Sequence, residues 1–95
     1  GGLKIQDPAN DLAVVAAILS SSLDLTLDNR TCFAGEVGLN GEIRPVARLE
    51  QRMAEASRLG MERMLVSGHG SHPKAPKGLT VIPVKRVNEV QRVVF

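Results

Sequence analysis

The segment from Phe33 to Val46 constrains the fold more than any other part of the chain. It is typical of a β-strand, a turn and a second short strand, and Asn40-Gly41 within it is the strongest short-range signal for a β-hairpin. An amphipathic helix is predicted directly afterwards, at 49–59, because its apolar residues fall close to helical spacing. The segment also carries a glycine at every third position, at Gly35, Gly38 and Gly41.

The other predicted elements alternate between strands and helices. Asp7-Pro8 opens a helix that is predicted to run to Ser22 or Leu23, since aspartate is a good N-cap and proline suits the first helical position. This alternation predicts an α+β fold, a two-layer α/β domain with a mixed sheet. The further predictions are strands at 3–6, 31–37, 42–46, 64–67 and 79–84, a loop at 68–78 and a closing helix at 87–94.

The first predicted helix has no polar face. Residues 12–19 are all apolar, which is typical of a helix that is buried on most sides. A chain of 95 residues builds only a modest core. We therefore expect a partner subunit, or segments outside this chain, to cover part of the helix.

Charge is distributed unevenly along the chain. Residues 1–43 carry two basic and six acidic groups, a net charge of −4, whereas residues 44–95 carry ten basic and four acidic groups, a net charge of +6. Such asymmetry favours a polyanionic partner or a complementary protein surface. The only aromatic residues are Phe33 and Phe95, which argues against a base-stacking platform. Candidate DNA-binding residues are Arg48, Arg52, Arg58, Lys74, Lys77, Lys85 and Arg86.

The sequence predicts no metal or nucleotide site. His69 and His72 lie in a glycine-rich loop without a nearby carboxylate or thiol, so a solvated loop is favoured over a metal site. The glycines at 35–41 lack the Gly-Lys-Ser/Thr of a phosphate loop, so we expect no ATP site. Asp7 and Asp11 suit helix capping and compensation of the helix dipole better than acid–base chemistry.

The single cysteine and the length of the apolar runs indicate the cellular compartment. Cys32 has no second cysteine to pair with and falls in a predicted strand, which favours a structural thiol and a reducing, cytoplasmic setting. No apolar run reaches 18 residues, so no membrane partner is expected. The chain begins with Gly1 rather than methionine, and we expect it to be part of a longer protein.

Three blocks of sequence resemble the Lon protease domain in order. They are DPANDLA at 7–13, GEVGLNGEIRPV at 35–46 and PVKRVNEV at 83–90. The first block is most similar to the Lon-like C-terminal domain of the bacterial RadA/Sms DNA repair family, and the last to the corresponding end of Lon. The resemblance implies a fold like domain 2 of ribosomal protein S5. It also implies that residues 1–95 form a partial Lon-like domain that lacks N-terminal strands.

The resemblance places two catalytic positions on this chain. Lon-type peptidases use a serine at the start of the helix that matches 8–23 and a lysine at the start of the helix that matches 49–59. Here Ala9 and Glu50 occupy those positions, and Asp11 matches a glycine of the family. Alanine supplies no nucleophile and glutamate cannot act as the neutral lysine base. We therefore expect no catalytic residue.

The resemblance also implies partners for the whole protein. It implies a ring, usually a hexamer, that acts on DNA in recombinational repair beside a RecA-type recombinase, with ATP, Mg and Zn bound by upstream domains. The first hypothesis is a non-catalytic scaffold for assembly and DNA engagement. The alternative is an ATP-dependent Lon-type serine peptidase, which Ala9 and Glu50 disfavour. A third is an interaction module without a DNA role.

Overall fold

A parallel sheet of three strands forms the centre of the fold. The computed structural model describes residues 7–95, so the strand predicted at 3–6 lies outside the described residues. The elements are a 3-10 turn (Pro8–Asn10), α1 (Asp11–Leu23), β1 (Thr31–Ala34), β2 (Glu36–Val37), β3 (Ile43–Arg44), α2 (Leu49–Arg58), β4 (Arg63–Ser67), β5 (Thr80–Val84) and α3 (Val87–Val94). The sheet has the order β1-β4-β5, and β2 pairs with β3 in a separate antiparallel ribbon.

Helices cover both faces of the parallel sheet. Leu65 of β4 packs in one core with α1 and α3, while Met64 and Val66 pack in a second core with α2. A central parallel strand is apolar on both sides and needs cover on both. The α+β class, with parallel and antiparallel pairing, is confirmed. The helices and sheet make three layers where the sequence predicts two, and the two kinds of pairing occur in separate sheets.

The strand predicted at 31–37 is divided at Gly35, which is a correction to the sequence-based boundaries. The N–H of Gly35 donates to the carbonyl of Ala9 at 3.1 Å, and its carbonyl accepts from the N–H of Leu12 at 3.0 Å. A Cβ at this position would lie 2.9 Å from Cγ2 of Ile43. The absence of a Cβ at Gly35 therefore allows the start of α1 to pack against the chain at this residue. On either side of Gly35, β1 and β2 belong to different sheets.

The predicted hairpin is confirmed, with a longer turn than a two-residue loop. Glu36 pairs with Arg44 and Val37 with Ile43, so β3 is shorter than the strand predicted at 42–46. Gly41 closes the turn with a φ of +80°, a conformation that glycine adopts without steric cost. Its carbonyl accepts from the N–H of Val87 at 2.9 Å, which ties the turn to the start of α3.

Helix α1 ends at Leu23 as predicted, but it begins at Asp11, because the predicted cap Asp7 starts a 3-10 turn at Pro8–Asn10 that leads into the helix. The Asp7 carboxylate accepts from the N–H of Ala9 at 3.0 Å, and Pro8 follows as the first residue of the turn. Leu12 and Ala16 on the inner side of α1 are fully buried. The outer side is uncovered among residues 7–95, with Val14 55% and Ile18 58% exposed.

The second half of the chain follows its predicted boundaries to within one residue. Helix α2 ends at Arg58 rather than Leu59, β4 begins at Arg63, β5 begins at Thr80, and α3 spans the predicted range. The Glu89 carboxylate accepts from the backbone N–H groups of Arg86 and Lys85, and these bonds hold the pKa of Glu89 below its ordinary value. A carboxylate in the first turn of α3 also interacts favourably with the helix dipole and so stabilises the helix.

We expect Ser67→Ala to destabilise the fold, because it removes the hydroxyl that donates to the Ile43 carbonyl. Ser67 is 4% exposed, and its hydroxyl donates to the carbonyl of Ile43 at 2.7 Å and accepts from the N–H of His69 at 3.1 Å. Alanine leaves both groups without this partner, so the free energy of unfolding should fall by about 1–3 kcal/mol in urea titrations. Ser71→Ala, in the exposed loop, should change it by less than about 0.5 kcal/mol. Equal stability of the two variants would contradict this role.

Candidate functional site

The start of α1 is the position where the resemblance places a nucleophile. Ala9 is 4% exposed, and its methyl group offers no reactive atom. The local donors are already used: the N–H of Ala9 by Asp7, the N–H of Leu12 by the Gly35 carbonyl, and the N–H of Val37 by the Asp11 carboxylate at 3.2 Å. An oxyanion needs free donors aimed at it. Two carboxylates, Asp7 and Asp11, stand beside those donors instead.

The position that the resemblance matches to the catalytic lysine holds the carboxylate of Glu50. Glu50 lies exposed in the first turn of α2. A carboxylate there stabilises the start of a helix by compensating its dipole. The serines of α1, Ser20–Ser22, lie about 18 Å along the helix from Ala9. Ser67 is held by Ile43 and His69, and Ser71 lies in an exposed loop.

A cavity of about 630 Å³ lies between β1 and α2. Its apolar wall comes from β1, β4 and α2, and its polar groups include Asn10, Arg48 and Arg52. Arg52 is held in place, because its Nε donates to the Ala47 carbonyl at 3.0 Å and its Nη2 lies 3.4 Å from an Asp7 carboxylate oxygen. Sequence reasoning assigned the two arginines to DNA and missed the cavity. The signal available in the sequence was the four-residue spacing of Arg48 and Arg52, which is typical of side chains on one helix face.

Cys32 lines the same cavity as a half-buried thiol. Its Sγ donates to the Arg63 carbonyl at 3.5 Å. Burial raises the pKa of the thiol above its ordinary value, so Cys32 stays protonated at neutral pH and is a poor nucleophile. Among residues 7–95 no three histidine, cysteine or carboxylate side chains come together as a metal group.

The seven candidate DNA-binding residues divide by the partners they already have. Arg52 pairs with Asp7, and Arg58 pairs with Glu55, an interaction that raises the pKa of Arg58 and lowers that of Glu55. The other five form no salt bridge within the described part of the chain: Arg48, Lys74, Lys77, Lys85 and Arg86.

Position in the fold also separates these residues. Arg52 and Arg58 lie in α2, which covers one face of the sheet, and Arg48 is the residue directly before this helix. Lys74 and Lys77 lie in the loop between β4 and β5, and Lys85 and Arg86 follow the end of β5. Arg86 is tied to the hairpin, because its Nη2 donates to the Asn40 carbonyl. The structure therefore does not unite all seven side chains in one patch.

Comparison with known proteins identifies the family. The family described as subunit ChlI of Mg-chelatase matches residues 1–69. DNA repair protein RadA of Bacillus subtilis (strain 168) is 46% identical over 93 residues, which cover 97% of this chain and 20% of that protein. RadA of Streptococcus pneumoniae (strain ATCC BAA-255 / R6) is 45% identical over 96 residues, covering 100% of this chain and 23% of that protein. RadA of Pseudomonas aeruginosa (strain PAO1) is 39% identical over 95 residues, covering 100% and 21%.

The chain spans about a fifth of the length of these relatives. No helix among the described residues is long and apolar enough to cross a membrane. The resemblance to the RadA family is confirmed. The chain therefore belongs to the family of subunit ChlI of Mg-chelatase and is related over nearly its whole length to the C-terminal region of bacterial DNA repair proteins named RadA.

Proposed function

We propose that this chain is a non-catalytic, Lon-like assembly domain of a RadA-type DNA repair protein, and that its basic half contacts DNA. Helix α1 carries the proposal. Its start has Ala9 and occupied N–H donors where a peptidase needs a nucleophile and an oxyanion site, and its outer side is apolar and exposed. A helix with those two properties suits docking rather than peptide hydrolysis.

The assembly that we propose is a ring, with six copies as the preferred number. The acidic and basic halves of the chain are suited to a head-to-tail contact, and heterologous contacts of that kind close into rings. The proposed partners are DNA and a RecA-type recombinase. We place ATP, Mg and Zn in other parts of the whole protein, and the whole protein in the cytoplasm, in keeping with a single unpaired cysteine.

Sedimentation velocity tests the assembly role. We expect the full-length protein to sediment as an oligomer, and a Val14→Glu, Ile18→Glu variant to sediment as a smaller species, because each glutamate puts a charge into an apolar contact. Leu39→Glu with Leu59→Glu is the matched control, since it adds the same charges at exposed apolar positions outside α1. A wild-type protein that stays monomeric at high concentration, with and without nucleotide, would refute the proposal. So would an α1 variant that assembles like the control.

A further inference from the structure

The cavity between β1 and α2 is basic at one end. Arg48 and Arg52, which lie at the start of α2, belong to its lining. The Asp7 carboxylate, which contacts Arg52, lies just before the 3-10 turn, and that turn is hydrogen-bonded to Gly35 at the end of β1. The two arginines therefore lie near the end of β1.

The other end of the cavity is apolar. Leu59 and Met61, which follow α2, line it together with Met64 of β4 and with Cys32. Cys32 pairs in register with Met64, so these side chains lie beside the first half of β1. Burial raises the pKa of the Cys32 thiol, and the thiol therefore carries no charge at neutral pH. An apolar group can be buried at this end without desolvating a charged side chain.

Arg48 gives the lining an excess of positive charge. It forms no salt bridge among residues 7–95, whereas Arg52 contacts Asp7. The carboxylate of Glu55 also lines the cavity, and it is paired with Arg58. Because these two ion pairs compensate their own charges, the guanidinium of Arg48 is the charge that the cavity offers to a ligand.

The backbone of Arg48 has an uncommon conformation for a residue with a side chain. It lies in the left-handed region, with a φ of +59° and a ψ of +38°. Residues other than glycine adopt this conformation rarely, and ligand clamps are among the places where they do. Arg48 is the N-cap residue of α2, yet its side chain makes no capping hydrogen bond. The fold thus holds Arg48 at the cavity without using its side chain to cap the helix.

We propose that this cavity binds a small organic anion with an apolar body, such as a medium-chain or aromatic carboxylate. Arg48 pairs with the carboxylate, because hydrogen bonds from a guanidinium to a carboxylate are charge-assisted and strong. The apolar body lies against Leu59, Met61 and Met64. The volume of about 630 Å³ falls within the range of ligand cavities, about 300–1,000 Å³. None of the described residues of α1 lines the cavity, so this binding is separate from the assembly role.

Methyl NMR of the full-length protein, labelled with ¹³C at its methionine methyl groups, tests the cavity. Variants with leucine at each of Met53, Met61 and Met64 assign the methionine signals of this chain. Octanoate should move the Met61 and Met64 signals in a saturable way. It should leave the Met53 signal in place, because Met53 is fully buried and does not line the cavity. Octanol, which has the same chain without the charge, should bind about tenfold more weakly.

Two substitutions separate the charge from the apolar contact. Arg48→Gln should weaken octanoate binding about tenfold and leave octanol binding unchanged. Arg92→Gln is its matched control, because Arg92 is also exposed, forms no salt bridge among residues 7–95, and lies in α3 on the opposite face of the sheet. Leu59→Gln should weaken both probes. Leu39→Gln, at an exposed position outside the cavity, should weaken neither.

Four results would overturn the proposal. Met61 and Met64 signals that stay in place throughout an octanoate titration refute a binding site in the cavity. Equal affinity for octanoate and octanol, or an Arg48→Gln variant that binds octanoate like the wild type, refutes the role of the anion. Equal weakening by Arg92→Gln would show a general charge effect. Movement of the Met53 signal together with the others would show that octanoate disrupts the core as a surfactant.

Discussion

The full-length protein is expected to hydrolyse unfolded casein no faster than buffer, with or without ATP. The resemblance to the Lon protease domain matches Ala9 to the nucleophile position and Glu50 to the position of the base. Loss of the nucleophile alone removes about six powers of ten from the rate of a serine peptidase. A fluorescent casein assay run for several hours, beside an active serine peptidase diluted to the same molar concentration, measures this difference.

Restoring the two side chains should leave the protein far below the activity of a working peptidase. In an Ala9→Ser, Glu50→Lys variant the N–H at position 9 would still face the Asp7 carboxylate, and Asp11 would still occupy the N–H of Val37. Negative charge beside the reaction centre opposes the oxyanion that must form. Steady casein turnover by the wild-type protein that a serine-reactive phosphonate abolishes, with the label found on residues 7–95, would contradict this expectation.

Leu65→Ala should cause a large loss of stability. Leu65 is fully buried in the middle of β4, the central strand, where it packs in the same core as Leu12, Ile43 and Val90. Truncation of such a side chain removes buried apolar surface and leaves a cavity, so the free energy of unfolding should fall by about 2–5 kcal/mol.

The same substitution at Leu39 is the matched control. Leu39 lies at the hairpin turn and is fully exposed, so Leu39→Ala should change the free energy of unfolding by less than about 0.5 kcal/mol. Urea denaturation followed by circular dichroism measures both variants. If Leu65→Ala were no less stable than Leu39→Ala, the assignment of β4 to the centre of the core would be wrong.

The local pattern of the sequence predicted most elements because their determinants are local. Asp7-Pro8 predicted the start of the first helix and Asn40-Gly41 predicted the hairpin, and both depend on residues that are close in sequence. The division of the strand at Gly35 was not predictable in this way. It depends on hydrogen bonds to Ala9 and Leu12, more than twenty residues away. Only the tertiary arrangement shows that the glycine serves as a docking point.

The same distinction applies to the candidate sites. The absence of a nucleophile at Ala9 could be recognised from the sequence, since the identity of one residue decides it. The division of the basic residues into paired and unpaired groups could not, because the Arg52–Asp7 contact joins residues 45 positions apart. The cavity beside β1 likewise depends on how α2 lies across the sheet. Charge counted along the chain therefore does not show which arginines lie beside a carboxylate in the fold.

The backbone of Ile43 has a consequence for the order in which the fold opens. Its N–H donates to the Lys85 carbonyl at 2.8 Å beyond the end of β5, and its carbonyl accepts from Ser67 at the end of β4. A ribbon with two residues in each strand would ordinarily exchange its amide hydrogens as quickly as a loop. Because Ile43 joins the ends of two core strands, we expect its amide to exchange only when the strands themselves separate. The ribbon would then unfold in the same cooperative unit as the parallel sheet.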